Sequence, residues 1–374
     1  MADLKWSKYD FSKIPFDDIK HFGTRSMLHR DTFTVSWLLG RYCNYRCSYC
    51  WPYARSDRKD HRPLEVVKGT IDEIKRQARD RGFKSFHFSL SGGEPTFHPQ
   101  YLDIVRYLNS DVRNCNFHSL HMTSNCSRPI KWFEEYYEAS KDMHRVSITA
   151  SYHREHVDTP KKVEEFADKL EFCQEHGIQV TVNMVMVPEF FDKFYEEALY
   201  FHERGINVTL KPQSDPTASF IVSGYTDDML NKLHNGMPQR GYASLKSKVT
   251  RPKYDWGKGI HQSNEKVPAN YEIELTDSKG KKWYIDQAER FNAFNFNDFK
   301  GWECSSGYRS IIIREPDGSI KRSYSCHDEP LGTIETGFQL FDGPKVCITD
   351  ACVSSADSKI PKRKIGNSIP LWMV

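Results

Sequence analysis

The sequence predicts an α/β fold, a partial (βα)6 TIM-like barrel followed by a small C-terminal α+β module. Short β-rich runs alternate with helical patterns from about residue 34 to residue 213. Such alternation favours parallel strands joined by right-handed helical crossovers. No Gly-x-Gly-x-x-Gly run follows the first predicted strand, so a barrel is a better interpretation than a dinucleotide-binding fold.

The predicted strands and helices alternate in order. Strands are expected at residues 34–39, 85–91, 116–125, 145–152, 179–187 and 207–213. Helices are expected at residues 64–81, 101–108, 131–141, 161–176 and 190–204. Apolar residues at helical spacing mark the first helix, and the glycine after it is typical of a helix end. In such a barrel, functional residues lie at the C-terminal ends of the strands.

The alternation stops after residue 213. A short helix is expected at 227–235, a hairpin at 271–286, and an aromatic run at 291–302 that could cover a site or simply pack in a core. A second hairpin follows residue 304, with Asp317-Gly318 as its turn. We therefore divide the chain into an N-terminal extension (1–33), a barrel core (34–213), a bridging region (214–303) and a C-terminal module with its tail (304–374).

Composition narrows the class of protein. Lysine and arginine number 53 against 50 acidic residues, a net charge of +3 that is too small to indicate a nucleic-acid partner. No apolar run is long enough to span a membrane, so no membrane partner is expected. The charged, aromatic N-terminus lacks the apolar core of a signal peptide, and a cytoplasmic location is the default expectation.

The most informative cluster of the ten cysteines directly follows the first predicted strand. Cys43, Cys47 and Cys50 lie on the first strand-to-helix loop, at the functional end of a barrel. In a reducing compartment, clustered cysteines usually bind metal or perform redox chemistry. Zinc and iron–sulfur clusters both suit thiolates, but a closed zinc site needs four ligands and only three are local. Buried or zinc-linked cysteines remain the alternative.

The Cys43-x3-Cys47-x2-Cys50 motif on the first loop of a partial barrel resembles the signature of radical S-adenosylmethionine (radical SAM) enzymes. The resemblance implies a [4Fe–4S] cluster on these three cysteines, with its free iron chelated by SAM. In that family, reductive cleavage of SAM yields a 5′-deoxyadenosyl radical, which abstracts a hydrogen atom from the substrate. Tyr49, the aromatic residue before the last cysteine, would lie near the adenine.

A second motif, "SGGEPTFHP" at residues 91–99, follows the second predicted strand and is similar to the family's GGE motif. The resemblance implies that Gly92, Gly93, Glu94 and Pro95 bind SAM, with Glu94 accepting from its ammonium group. Glycine permits close backbone approach, and a carboxylate suits an ammonium. An ordinary turn is the alternative reading.

Further SAM contacts are expected at the ends of later strands. The matching residues are Ser124 and Asn125 after the third strand and Ser151 at the end of the fourth. Each could equally satisfy the backbone of its own loop.

A second group of cysteines, Cys304, Cys326, Cys347 and Cys352, lies in the last quarter of the chain. Four cysteines can hold zinc or a [4Fe–4S] cluster. A cysteine, a glycine-turned hairpin, a second cysteine and a late pair resemble the auxiliary-cluster module of the SPASM/twitch branch of radical SAM enzymes. The one-cluster twitch form fits better, although the gap from Gly318 to Cys326 exceeds the usual spacing. Four thiolates would ligate one auxiliary [4Fe–4S] cluster fully, which favours electron transfer.

The expected function is that of a radical SAM oxidoreductase or isomerase, acting on a small molecule or a peptide by oxidation, rearrangement or epimerisation. Cys126, after the third strand, would be the hydrogen-atom donor of an epimerase. Other catalytic residues are unknown. The electron donor would be a protein such as flavodoxin or ferredoxin. The alternatives are modification of a nucleobase or nucleotide, and a non-catalytic metal or iron–sulfur binding protein.

Overall fold

The computed structural model describes residues 13–24, 32–51, 53–216, 220–238, 247–252, 273–285, 297–315, 317–352 and 354–366. Its larger sheet contains six parallel strands that follow one another along the chain. They are β2 (Thr32–Leu38), β3 (Ser85–Ser91), β4 (Phe117–Ser124), β5 (Arg145–Tyr152), β6 (Ile178–Met186) and β7 (Asn207–Pro212). A preceding strand, β1 (Ile19–Thr24), belongs to a second sheet.

Helices connect these strands and cover one side of the sheet. They are α1 (Leu64–Asp80), α2 (Tyr101–Ser110), α3 (Ile130–Ser140), α4 (Pro160–Glu175) and α5 (Phe191–Glu203). Short 3-10 turns lie at Phe16–Asp18, Pro95–Phe97, Val112–Asn114 and Pro188–Phe190. Within α1, Val67, Ile71 and Ile74 form the buried stripe that its apolar spacing predicts. None of the described helices is long and apolar enough to cross a membrane.

The side chains of the strands alternate between two environments. Every second residue packs with the helices in one apolar core. We call the opposite side the inner face. Its positions are Thr32, Thr34, Ser36 and Leu38 on β2, Ser85, His87, Ser89 and Ser91 on β3, and Phe117, Ser119, His121 and Thr123 on β4. They continue with Arg145, Ser147, Thr149 and Ser151 on β5, Gln179, Thr181, Asn183 and Val185 on β6, and Asn207, Thr209 and Lys211 on β7.

The C-terminal part of the chain extends the same sheet beyond β2. Its strands there are β11 (Ser310–Arg314), β12 (Ser319–Lys321), β13 (Gly332–Thr333) and β14 (Gly337–Phe338). Because β11 is parallel to β2, with Ser310 opposite Thr34, the inner face also includes Ser310, Ile312 and Arg314. The turn between β11 and β12 places Gly318 at φ 63°, a conformation that favours glycine.

A second, six-stranded sheet combines both ends of the chain. It contains β1, β8 (Ile273–Asp277), β9 (Lys282–Ile285), β10 (Trp302–Cys304), β15 (Lys345–Val346) and β16 (Lys362–Lys364). The strand β1 pairs with both β8 and β16, and Phe22 packs edge-on against Phe299 at 5.1 Å between ring centroids. Two more helices, α6 (Asp227–Asn235) and α7 (Ser355–Ser358), lie outside the barrel.

Hydrogen bonds fix the C-terminal part against α1. The side chain of Gln77 donates to the carbonyl of Phe338 at 2.8 Å and accepts from the amide of Leu340 at 2.9 Å. The guanidinium of Arg81 donates to the carbonyls of Leu340 and Phe341 at 2.6 and 2.8 Å. These bonds hold β14 and the segment after it against the barrel.

The structure confirms the predicted fold class. The ends of the predicted barrel strands and helices differ from the observed ones by no more than two residues. Both predicted hairpins occur, as β8–β9 and β11–β12. The predicted division into four segments stays a prediction. Of the aromatic run, Phe291, Phe294 and Phe296 lie outside the described residues, whereas Phe299 and Trp302 pack in the core of the second sheet.

An ion pair between the buried Lys75 and the half-buried Asp111 joins α1 to the residue that follows α2, at the N-terminal side of the barrel. Lys75 Nζ is 2.6 Å from Asp111 Oδ2 and also donates to His118 Nε2 at 3.0 Å. Burial acts to raise the pKa of Asp111, but hydrogen bonds from Lys75 and Asn114 and the charges of Lys75 and Arg79 outweigh it and lower the pKa from 3.8 to about 2. The pair therefore contributes stability that is fully present above about pH 4 and lost as the pH falls towards 2.

Asp111→Asn is expected to lower the free energy of unfolding of the metal-free chain by roughly 3 kcal/mol at pH 7, because it leaves the Lys75 ammonium buried beside a neutral partner. As the pH falls from 4 to 2, the free energy of unfolding of the variant should also decrease by about 2 kcal/mol less than that of the parent. Urea unfolding at several pH values measures both effects. Asp103→Asn, which breaks an exposed pair with Arg106, is the matched control. Equal stability of the two variants would contradict the prediction.

Candidate functional site

The cysteine loop follows β2 at the C-terminal end of the sheet. Cys43 and Cys47 are half-buried and Cys50 is exposed, and the three thiols are close enough to interact electrostatically. Burial, the charge of Glu155 and the neighbouring thiols raise the pKa of Cys47 to about 12. Burial also raises the pKa of Cys43 and Cys50. Since thiols bind metals as thiolates, metal binding at this loop must release protons.

The two glycines after β3 press directly against the start of the cysteine loop. The amide of Gly93 donates to the carbonyl of Gly40 at 2.9 Å, and the amide of Glu94 donates to that of Tyr42 at 2.7 Å. A Cβ atom on Gly92 would lie 2.2 Å from the Gly40 carbonyl oxygen, and one on Gly93 would lie 2.3 Å from that of Tyr42. Glycine at both positions is therefore required by this close backbone contact.

The Glu94 carboxylate lies at the centre of a buried hydrogen-bond network, with 2 % of the residue exposed. Its Oε1 accepts from the amide and hydroxyl of Thr96, at 3.1 and 2.6 Å, and from the hydroxyl of Ser124 at 2.8 Å. Its Oε2 accepts from the amide of Asn125 at 2.6 Å. Burial raises the pKa of Glu94, while these hydrogen bonds act to lower it. The network joins the ends of β3 and β4.

Asn125 extends this network to the cysteine loop. Its side-chain amide donates to Asn44 Oδ1 at 2.9 Å, and the Asn44 amide donates to the Ser127 hydroxyl at 3.0 Å. The Asn125 side-chain oxygen accepts from the amide of Ser127 at 3.0 Å. The segments after β2, β3 and β4 are thus connected through side chains, with Asn44 directly beside Cys43.

The loop after β5 binds the other side of the cysteine loop. The Glu155 carboxylate accepts from the amide of Ser48 at 2.8 Å and from the hydroxyl of the same residue. The Tyr49 hydroxyl is 2.9 Å from His153 Nδ1. These contacts fix the backbone between Cys47 and Cys50 and the ring of Tyr49.

His156, in the same loop after β5, also contacts the cysteine loop. Its Nε2 accepts from the amide of Arg46 at 3.1 Å, and its ring stacks on Tyr45 at 4.0 Å between centroids and 7° between planes. Ligand atoms of Cys47, Glu155 and His156 lie within 4.8 Å of one another. The sequence predictions did not include His153, Glu155 or His156. Their position directly after a barrel strand was the signal that could have identified them.

Glu155→Ala is expected to loosen the cysteine loop, because two charge-assisted hydrogen bonds to Ser48 are lost. Amide hydrogen exchange at residues 45–50 should accelerate by roughly 10- to 100-fold. Glu165→Ala, an exposed change on α4, is the matched control. Unchanged exchange in the loop of Glu155→Ala would show that these hydrogen bonds do not order it.

The other predicted site residues lie around the same strand ends. Pro95 is buried and begins the 3-10 turn after Glu94. Ser151 is half-buried on the inner face, opposite Asn183 on β6. Cys126 is 1 % exposed and has φ 53°, the only positive φ outside glycine among the described residues. Its thiol lies 3.7 Å from the carbonyl of Ser124 and packs in the main core.

Residues 37–201 match the model of the radical SAM superfamily. The match covers 165 of the 374 residues, less than half of the chain. Members of this superfamily are enzymes that bind SAM and an iron–sulfur cluster. The matched range contains the cysteine loop, the Gly92–Gly93–Glu94 segment and most of the barrel.

The relatives described next are distant in sequence. A GTP 3′,8-cyclase of Agrobacterium fabrum (strain C58 / ATCC 33970) is 25% identical over 174 residues, which are 45% of this chain and 48% of the cyclase. The chain therefore spans about half the length of this curated relative. Among solved structures, SuiB of Streptococcus suis has a TM-score of 0.45 and 13% identity, covering 82% of this chain and 64% of SuiB. The structure of anSMEcpe with bound AdoMet has a TM-score of 0.48 and 12% identity, covering 82% of this chain and 79% of anSMEcpe. These structural likenesses are too weak to carry a functional argument.

Outside the matched range, the C-terminal part buries its four cysteines, Cys304, Cys326, Cys347 and Cys352. Electrostatic interactions connect Cys347 to Cys304 and Cys326, and connect Cys352 to Cys304 and Cys347. Burial raises the pKa of Cys347, and that of Cys352 to about 12. The fold thus gathers four free thiols from distant parts of the chain, a donor set that suits zinc or a [4Fe–4S] cluster.

Buried cations flank these thiols. Lys362, 1 % exposed, lies opposite Cys304 in the pairing of β16 with β10. Arg322, 4 % exposed, interacts with Cys326, Cys304 and Cys347, and its carboxylate partner is Asp328 at 3.2 Å. Such cations would offset the negative charge of metal-bound thiolates.

A buried carboxylate orders the chain beside Cys326. Asp357 accepts from the amides of Tyr324 and Ser325, at 3.0 and 3.1 Å. The hydroxyl of Ser325 also donates to it at 3.0 Å. Burial raises the pKa of Asp357 to about 6. These bonds hold the segment that leads into Cys326.

Proposed function

We propose that the chain is a radical SAM enzyme whose Cys43, Cys47 and Cys50 hold a [4Fe–4S] cluster. The observation that supports this most directly is the gathering of three free thiols at the strand ends of a radical SAM domain. The donor set fits, because three thiolates leave one iron for SAM. The bound cluster and SAM would supply a 5′-deoxyadenosyl radical, which removes a hydrogen atom from the substrate.

The neighbouring residues would bind and orient SAM. Tyr49, whose hydroxyl meets His153, would present its ring to the adenine. Glu94 Oε2 accepts one described hydrogen bond and keeps acceptor capacity for the SAM ammonium. Ser124 and Asn125 hold Glu94, and Ser151 would contribute from the inner face. Gly92, Gly93 and Pro95 would set the path of this segment.

The four C-terminal cysteines would bind one auxiliary [4Fe–4S] cluster of the SPASM/twitch type. Four thiolates leave no iron open for substrate, which favours a role in electron transfer over substrate binding. Arg322 and Lys362 would favour electron acceptance, because positive charge nearby stabilises the more negative, reduced state. This supports an oxidoreductase reaction. Zinc at the same four thiols would make the site structural instead.

The substrate would be a small molecule or a peptide, and electrons would come from a small donor such as flavodoxin or ferredoxin. A second candidate is modification of a nucleotide. It is favoured by the 25% identity to a GTP 3′,8-cyclase, over about half of each chain. Cys126 is less suitable as a hydrogen donor than its sequence position suggests, because its thiol is buried in the core.

Anaerobic reconstitution of the full chain tests the proposal. We expect about eight irons per chain and reductant-dependent formation of 5′-deoxyadenosine from SAM. The Cys304→Ala, Cys326→Ala double variant should keep about four irons and some SAM cleavage. Four irons in the parent would refute the auxiliary cluster but not the cluster on Cys43, Cys47 and Cys50. Zinc in place of iron, with no SAM cleavage, would indicate a non-catalytic metal-binding protein.

A further inference from the structure

The inner face of the barrel is polar over nearly its whole extent. On β5 it presents Arg145, Ser147, Thr149 and Ser151, and the other strands continue with hydroxyl, amide and imidazole groups. The interior of a closed barrel is filled mainly by bulky apolar residues. This interior instead resembles the lining of a site for a hydrogen-bonding molecule.

Solvent reaches the inner face. Along β5 and β6, buried residues alternate strictly with half-buried ones, and the half-buried residues are those of the inner face. The residues on the helix side of the same strands are at most 3 % exposed. On β5 and β6 the inner face is therefore not sealed by packing among the described residues and can be reached by a ligand from the strand ends. On β2 to β4, inner-face residues such as Ser85 and Ser119 are buried, and Tyr324 hydrogen-bonds to Ser36 and Ser91.

Hydrogen bonds between neighbouring strands orient these polar groups. His87 Nδ1 is 2.7 Å from the Ser119 hydroxyl, and His121 Nδ1 is 2.8 Å from the Ser147 hydroxyl. A hydroxyl can take part in up to three hydrogen bonds, so the half-buried Ser147 retains capacity for a ligand, whereas Ser119 is buried. The face is thus preorganised for a molecule with many hydroxyl or amide groups.

The charge on this face is positive. At the described inner-face positions the charged residues are Lys211 and Arg314, at the C-terminal ends of β7 and β11, and Arg145, at the N-terminal end of β5, with no aspartate or glutamate. Burial and the positive charges of Lys359 and Arg145 lower the pKa of His121 to about 3, so its imidazole stays neutral. Arg145 Nε donates to Gln179 Oε1 at 2.7 Å, and this neutral acceptor orients the guanidinium without changing its charge.

We propose that the substrate bound on the inner face is a compact, hydroxyl-rich molecule that carries negative charge. This rests on the proposed function for the reaction itself and adds the chemical class of the substrate. An apolar peptide side chain would displace the water that hydrogen-bonds to the serines, threonines and histidines. It offers no hydrogen bonds in return, which costs binding free energy. A hydroxyl-rich anion replaces those bonds and meets the cations of the face.

Binding to the reconstituted full chain, measured by isothermal titration calorimetry with SAM present, tests the substrate class. The probes are ribose 5-phosphate, guanosine 5′-monophosphate, inorganic phosphate and N-acetyl-leucinamide. We expect the two hydroxyl-rich anions to bind more tightly than phosphate, and the leucinamide not to bind. A preference between the first two then separates a sugar phosphate from a nucleotide.

Substitutions on the inner face test whether the anion binds there. Lys211→Gln, Arg314→Gln and Thr149→Val should each weaken binding of the better anion by about tenfold or more. Lys131→Gln, an exposed change on α3, is the matched control and should bind like the parent. Tighter binding of the leucinamide, no binding of any anion, or equal binding by all variants would overturn the proposal. SAM cleavage by the parent is measured in parallel: its absence refutes the proposed function, whereas the binding results decide the substrate class.

Discussion

Cys47→Ala is expected to reduce 5′-deoxyadenosine formation to the level of a reaction without protein. Cys47 lies at the centre of the cysteine loop, interacts with both other thiols and is the thiol beside Glu155. Two remaining cysteines cannot supply the three thiolates that a SAM-binding [4Fe–4S] cluster requires here. The variant should also lose about half of the reconstituted iron, with the C-terminal cluster retained.

The matched control for Cys47→Ala is Cys115→Ala, which removes a half-buried thiol just before β4, at the opposite end of that strand from the site. It should keep the iron content and the SAM cleavage of the parent. Thermal unfolding of the metal-free chains should show similar stability for both variants, since each loses one partly buried thiol. Iron content and SAM cleavage equal to the parent in Cys47→Ala would contradict the role of the loop.

Much of the barrel could be predicted because its signals are local. Strands such as β5 and β6 combine β-branched residues with strict alternation, and helices such as α1 show an apolar stripe and end at glycine. The parallel strands lie side by side in the order in which they follow one another along the chain. Local patterns of this kind do not require knowledge of distant contacts.

The second sheet could not be predicted in the same way. Its strands β1 and β16 come from opposite ends of the chain and pair through only a few residues, His21 with Arg363 and Phe22 with Lys362. The addition of β11 beside β2 likewise depends on a contact between residues far apart in sequence. No local pattern specifies such partners, because their pairing is decided by the core that they complete.

At the site, the cysteine loop and the Glu94 segment were identified because their residue types and spacing are distinctive. What the sequence did not show is how they are held. The two glycines, expected close to a ligand, are required by the Gly40–Tyr42 backbone. Glu155 and His156 are ordinary residue types, and only the three-dimensional arrangement brings them to the loop.

Glu94→Ala is expected to have the largest effect on stability of any single change at the site. It would leave four buried donors without their acceptor, namely the amide and hydroxyl of Thr96, the hydroxyl of Ser124 and the amide of Asn125. An unsatisfied buried donor costs about 1–3 kcal/mol, and partial relaxation makes the total smaller than the sum. We expect a loss of about 3–5 kcal/mol in the free energy of unfolding of the metal-free chain.

Glu94→Gln separates the structural role of Glu94 from its role toward SAM. An amide oxygen can keep the three bonds made by Oε1, whereas its nitrogen would face the amide of Asn125, so about 1–3 kcal/mol should be lost. The loss of negative charge should weaken SAM binding to the reconstituted protein by about tenfold or more, with the iron content preserved. Glu134→Gln, an exposed change on α3, is the control for both measurements. If Glu94→Gln bound SAM as tightly as the parent, Glu94 would act only by joining β3 to β4, and the SAM ammonium would have another acceptor.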